Sequence, residues 1–187
     1  MSTLVVDQLR GRASSSNTIS IPAGHSLSAP GTPVQIVTAT TGTGTAVMFT
    51  FNGAARLGCV GAAITPKFAN SKILITGFVH GFINSGGNQG GLRLELVSHP
   101  TTTFDDGSSV ASATQLFSDE DTMFLNGSQL MGNMSFQYEH SPGSTNTIHY
   151  SVAVSENNLY ANGTSQINWS NGTTGGRSKI VLTEIAQ

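Results

Sequence analysis

This sequence has very little charge. Asp, Glu, Lys and Arg make up 10% of its 187 residues, against roughly 25% in an average soluble chain. The formal net charge is -2, so no broad field draws the protein to nucleic acid or anionic lipid. Cysteine is nearly absent: Cys59 stands alone, which excludes an internal disulfide. Its apolar neighbours make a buried, inert thiol the natural reading. No apolar run approaches the ~18 residues of a membrane span. Asp7, Arg10 and Arg12 interrupt any apolar core of an N-terminal signal, so a cytosolic assembly site is expected. Windows rich in Ala, Leu, Glu and Lys are missing, which argues against helices. Catalytic signatures are missing too: there is no GxSxG, HExxH or GxxxxGK[ST].

What remains is polar, uncharged and punctuated by turns. There are 22 glycines, and Ser, Thr and Asn fill much of the rest, a composition suited to sheets with hydroxyl-rich faces. The chain is organised around Gly58 to Phe78, GCVGAAITPKFANSKILITGF. Val60, Ala62 and Ile64 alternate with Gly61, Ala63 and Thr65, as in a half-buried strand. Pro66 removes a backbone donor and stops the ladder. Lys67 to Ser71 is long enough for a hairpin loop or for a crossing to a neighbouring strand. Ile73, Leu74 and Ile75 then resume as a buried run.

Residues 2 to 9 read as one short strand, with Leu4 and Val6 on one face and Val5 on the other. A flexible polar link, GRASSSN, precedes a second strand containing Ile19 and Ile21. These strands are too sparse to form a core in one chain, so residues 1–32 are expected to dock on another protein or wind with sister copies. Pro30-Gly31 and Pro33 mark the boundary, and residues 33–187 are expected to form the head.

The remaining segments have the same character. Ala46 to Phe51 reads as a strand, and Leu92, Leu94 and Leu96 alternate with Arg93, Glu95 and Val97. His99 to Asp121 reads as the longest irregular stretch. Met134, Phe136 and Tyr138 alternate, as do Ile148, Tyr150, Val152 and Val154, and the two runs are expected to pair as a hairpin. Ile180 and Leu182, with Glu184, share one face of the closing strand. About ten short strands separated by Gly/Asn turns predict an all-β, antiparallel, jelly-roll-like sandwich.

Three sets of residues bear on chemistry. Asp105, Asp106, Asp119, Glu120 and Asp121 form the acidic cluster. Carboxylates held ~5–9.5 Å apart can cleave a glycosidic bond, and oxygen ligands can hold calcium, but no EF-hand pattern is present and solvated loop carboxylates are the favoured reading. His25, His80, His99, His140 and His149 lack metal-ligand spacing; His80 and His149 read as sheet-face or interface residues. No metal or other cofactor is expected. Finally, Tyr160 and Trp169, among Asn162, Asn168 and Asn171, have the makings of a carbohydrate platform of stacking rings and amides; Trp169 as a core residue is the alternative. Asn-x-Ser/Thr triplets at Asn126, Asn133, Asn162, Asn168 and Asn171 are attributed to composition.

The segment ITPKFANSKILI resembles a group of tail-fibre and related virion proteins of marine bacteriophages, which carry an ITP…SKILV-like strand pair. STLVVDQL and TISIPAGHSLSAPGTPVQIV are similar to their attachment and neck segments, HSPGSTNTIHYSV to one of their strand pairs, and GGRSKIVLTEIAQ to their terminal strand. The resemblance covers nearly the whole chain and is patterned rather than motif-tight. It implies a virion protein, a short tail fibre or its receptor-binding tip. It also implies a homotrimer attached to other virion proteins through Leu4, Val5, Val6, Ile19 and Ile21, with a host surface glycan or receptor as target. A capsid decoration or head-fibre protein is the alternative, and a glycan-cleaving tailspike a more distant one.

Overall fold

The computed structural model describes residues 29–41, 56–84, 89–126, 129–156, 164–167 and 176–187. Among them there is no helix, and nine strands form two antiparallel sheets. The strands are β1 (Pro33–Thr40), β2 (Leu57–Ile64), β3 (Lys72–Asn84), β4 (Gln89–His99), β5 (Thr114–Asn126), β6 (Gln129–His140), β7 (Ile148–Glu156), β8 (Thr164–Ile167) and β9 (Lys179–Ile185). The first sheet runs β1-β9-β3-β6, with β8 added to β3, and the second runs β2-β7-β4-β5. One edge of β3 serves two partners in turn: β9 along residues 72–78 and β8 along 81–84.

The pairings are nested. β4 pairs with β5, β3 with β6, β2 with β7 and β1 with β9. A long hairpin rolled upon itself produces this order, and it is the jelly roll anticipated from the turn spacing. It also settles the central crossing. Residues 65–71 do not close a hairpin; they carry the chain from the second sheet to the first. The expected hairpin between residues 134 and 154 is not formed. β6 and β7 lie in opposite sheets, because successive strands along each arm of a rolled hairpin alternate between layers. The alternation did identify which side chains face inward, but their inward faces meet across the core rather than side by side.

That core is filled from both layers. Ile73, Ile75 and Val79 of β3, Ile180 and Leu182 of β9, and Met134 of β6 meet Leu92, Leu94, Leu96, Tyr150, Val152 and Val154. All are buried, and full burial of such a side chain contributes roughly 1.5–3 kcal/mol. β2 carries a bulge: Gly58 opposes Ala153 and Val60 opposes Val152, so Cys59 is the extra residue. Its thiol donates to Val152 O at 3.0 Å, and burial pushes its pKa far up. Gly77 is a close approach, not a bulge, because the β3–β6 register is continuous there. A Cβ at that position would collide with Lys179 O and the Phe136 ring.

The second sheet is covered on its outer face as well. Only residues 100–113 of the expected irregular stretch are irregular; from Thr114 onward the chain is β5. This loop lies across β4, β7 and β2. Val97, Phe104, Val110 and Ala153 form a small second core beneath it, and Phe104 N donates to the buried Ser151 Oγ at 2.8 Å. Small residues make room for it: a Cβ on Gly58 would lie 2.5 Å from Phe104 Cβ. The loop then pairs with the β2 margin through Gly58 N to Ser108 O, 3.0 Å, and Val110 N to Arg56 O, 3.1 Å.

Candidate functional site

Leu4, Val5, Val6, Ile19 and Ile21, assigned to attachment, and Tyr160, Asn162, Asn168, Trp169 and Asn171, assigned to a carbohydrate platform, lie outside the described residues, as does the expected strand 46–51. The acidic cluster is divided between two structural settings. Asp105 and Asp106 are exposed on the covering loop, whereas Asp119 to Asp121 belong to β5, with Asp119 opposite Leu94. Hydrogen bonds from Ser108 to Asp106, including Ser108 N to Oδ1 at 3.0 Å, hold its carboxyl below the ordinary range. This is opposite to the raised value a glycosidic general acid requires. Among the described residues, no group of three or more His, Cys, Asp or Glu side chains is placed to hold a metal ion. His80 and His149 both sit on outer sheet faces: His80 Nδ1 meets Asn133 Oδ1 at 2.8 Å, and His149 Nδ1 meets Thr103 Oγ1 at 2.6 Å.

Two buried carboxylates hold the scaffold. Glu95 is paired with Arg56, and with Arg93 at 3.3 Å, beside the covering loop. Glu184 faces inward at the end of β9, as the alternation of that strand suggested, and has no cation partner among the described residues. Its Oε1 accepts Lys67 N at 2.7 Å, Phe68 N at 3.2 Å and Ser71 Oγ at 2.7 Å, and its Oε2 accepts Gln35 Nε2 at 2.6 Å. Burial opposes ionisation, yet these donors together hold the pKa below its ordinary value. One side chain thereby ties β1, β9 and the sheet-to-sheet crossing together.

The crossing, the covering loop, the β6–β7 connection and the start of β1 all gather at one end of the sandwich, as the register shows. Ile64 opposes Ile148, Ile73 opposes His140, and Pro33 opposes Ile185. The chain enters beside its own C-terminus there, with Gly31 N bonded to Ala186 O at 2.8 Å.

At the other margin of the same end is a cleft of about 220 Å³. β4 contributes Ser98 and His99, followed by Pro100; β5 contributes Thr114. The β6–β7 connection supplies Pro142, Ser144, Asn146 and Thr147, and β7 supplies Ile148. The connection is shaped by Gly143, whose φ of 66° lies in the left-handed region. His99 Nδ1 accepts Thr101 N at 3.2 Å and Thr102 N at 3.0 Å, which places the proton of its neutral ring on Nε2. Ser144 Oγ accepts Asn146 N at 3.0 Å, and Thr147 Oγ1 meets Thr65 Oγ1 at 2.8 Å. Among the described residues no Asp, Glu, Lys or Arg lines the cleft. Behind it, His140 Nδ1 meets the hydroxyl of the buried Tyr150 at 2.7 Å, and burial lowers the His140 pKa. Sequence reasoning missed this cleft, since its lining comes from three segments far apart in the chain. The one available signal was the Pro-Gly-Ser-Thr-Asn turn at residues 142–146.

No protein-family model and no curated protein matches the chain. Among solved structures, the chain is similar to that of infectious bursal disease virus, Gt strain, with 13% identity and a TM-score of 0.41. It is also similar to the VP2 subviral particle of that virus, with 15% identity and a TM-score of 0.40. Both matches cover 91% of this chain and 42% of the other. Dimeric latent PorU from Porphyromonas gingivalis is similar at 10% identity and a TM-score of 0.40, over 88% of this chain and 14% of that one. The chain thus spans less than half the length of each. The jelly-roll assignment stands on the strand pairing described above.

Proposed function

We propose that this chain is a virion structural protein: the jelly-roll head of a short tail fibre, or its receptor-binding tip, that adheres to the host surface without turnover. The observation that carries this reading is the nested pairing β1-β9, β3-β6 over β2-β7, β4-β5, an architecture used by viral capsid and lectin domains. A fold alone does not define a function. Support also comes from the placement of the ITP and SKILI motifs at the two ends of the sheet-to-sheet crossing, where Ser71 binds Glu184. In this reading residues 1–32 hold three copies together and dock them on the particle. Several weak contacts made in parallel then give firm attachment through effective concentration. The ionised, exposed Asp106 suits a solvated loop better than an acid catalyst.

The test has two parts. The full-length chain should sediment as a trimer and compete with intact particles for adsorption to host cells. Antibody-labelled particles viewed by electron microscopy should carry the label on the tail. Label on the shell would favour a capsid decoration protein, and a monomer that fails to compete would overturn the adhesive reading. Release of oligosaccharides from host polysaccharide, abolished by Asp119→Ala or Asp121→Ala, would replace it with an enzymatic one.

A further inference from the structure

We infer that the end cleft between the β4–β5 and β6–β7 connections is a binding subsite for a neutral saccharide ring. The inference deepens the adhesive reading and rests on it only for its biological role. Four observations carry it, beginning with charge. Among the described residues the lining holds no carboxylate, lysine or arginine, and the His99 imidazole is its one ionisable group, so a phosphate, sulfate, uronate or ammonium group would lose its hydration there with no fixed counter-charge in return.

The second observation is the kind of polar group. Ser98, Thr114 and Asn146 make no side-chain hydrogen bond to another described residue. Their hydroxyls and amide therefore remain available both to donate and to accept. The hydrogen bonds made by His99 Nδ1 leave its Nε2–H as a further donor. Sugar hydroxyls, each donor and acceptor at once, match such a set better than the one-way polarity of an ion. Third, Pro100, Pro142 and Ile148 add apolar surface beside these groups, as the C–H face of a pyranose requires. The volume of about 220 Å³ admits one ring rather than an extended chain.

The fourth observation is access. The chain enters at the β1 margin, whereas the cleft belongs to β4 and β5. In the second sheet β7 separates β2 from β4, a spacing of about 10 Å between the outer two. The described entry segment therefore does not cover the opening. Occupancy by a single ring would be weak, in the millimolar range, where free energies are about -4 kcal/mol; multivalent display would supply the rest.

The experiment is a titration of nitrogen-labelled full-length protein, followed by NMR. The probes are the methyl glycosides of glucose, galactose and N-acetylglucosamine, with glucuronate as the anionic control. At least one neutral glycoside should shift amides of residues 98–100, 114 and 143–148 saturably, and glucuronate should not. Asn146→Ala should weaken binding about five- to tenfold. Asn146→Trp should abolish it, with the spectrum elsewhere unchanged, showing that the fold is intact. The inference is overturned by the absence of any such shift with the neutral probes, by shifts that persist in Asn146→Trp, or by equal binding of glucuronate. Host-cell adsorption separates the two levels. If wild type and Asn146→Trp adsorb equally, the cleft is not the adhesive site and the adhesive reading survives. If wild type does not adsorb, the adhesive reading fails, while the titration still decides the chemistry of the cleft.

Discussion

Replacing Glu184 by Gln changes one oxygen to nitrogen and nothing else in size. The wild-type carboxylate accepts four hydrogen bonds, three on Oε1 and one on Oε2. If the amide oxygen of Gln takes the Oε1 position, three bonds survive but lose their charge assistance, about 1 kcal/mol each. The amide nitrogen then faces the Gln35 amide, also a donor, and that bond is lost at a cost of about 1–3 kcal/mol. Against this, a buried amide is desolvated far more cheaply than a buried carboxylate, which returns a few kcal/mol. The expected net loss is about 2–4 kcal/mol, a fall in Tm on the order of 10 °C for a chain of this length.

The pH dependence separates this account from simple packing damage. The folded pKa of Glu184 lies below its ordinary value of 4.5, so the unfolded chain binds the proton more readily. The stabilisation is therefore fully present above the unfolded value and is lost as pH falls through the folded one. Urea unfolding of wild type and Glu184→Gln should differ most near neutrality and converge in acid. A loss under about 0.5 kcal/mol near neutrality, or a difference that stays constant from neutral pH to about pH 3, would refute the reasoning.

Four further outcomes are expected. Gly58→Ala should push the covering loop off β2 and cost about 1–3 kcal/mol, with new protease cleavage within residues 100–113; an unchanged digestion pattern would contradict the close approach of Phe104. Arg56→Met leaves Glu95 with Arg93 alone and should cost about 2 kcal/mol, below the 3–5 of a fully abandoned buried charge, as measured by urea unfolding. Cys59 should resist maleimide in the native protein and react at the rate of global unfolding; fast native labelling would mean the bulge is open. His140 has a folded pKa lowered by burial, so the unfolded chain takes up its proton first. Stability should therefore fall as pH drops below 6.5, and His140→Gln should remove that part of the slope.

Much of the fold was legible because period-2 alternation depends only on which face is wet. Ile180, Leu182 and Glu184 alternate onto one face and are buried together, and the alternation in β6 and β7 likewise marks their inward faces. Alternation carries no information about which strand lies alongside, so it suggests a β6–β7 pair although the two belong to opposite sheets. The stretch 114–121 reads as loop in the sequence because three consecutive acids at Asp119 to Asp121 interrupt its pattern, yet its backbone pairs with β4 as far as Asp119, and a register shift follows before Met123. The end cleft was not legible, since Ser98, Thr114 and Asn146 become neighbours only once the hairpin is rolled. The acidic cluster failed for the converse reason: closeness in sequence did not become one common setting.

The nested order of the strands also fixes a sequence of events in time. Only β4 and β5 are joined by a short enough stretch to meet early; each outer pair must wait until the one inside it has brought its ends together. β1 and β9, last to be drawn in, close the largest loop of the four nested pairs. Assembly of the chain from the ribosome should accordingly be slow, as it is for proteins dominated by distant contacts. The β1–β9 seam, completed last, is where a neighbouring copy has the longest opportunity to insert its own strand before the roll is shut.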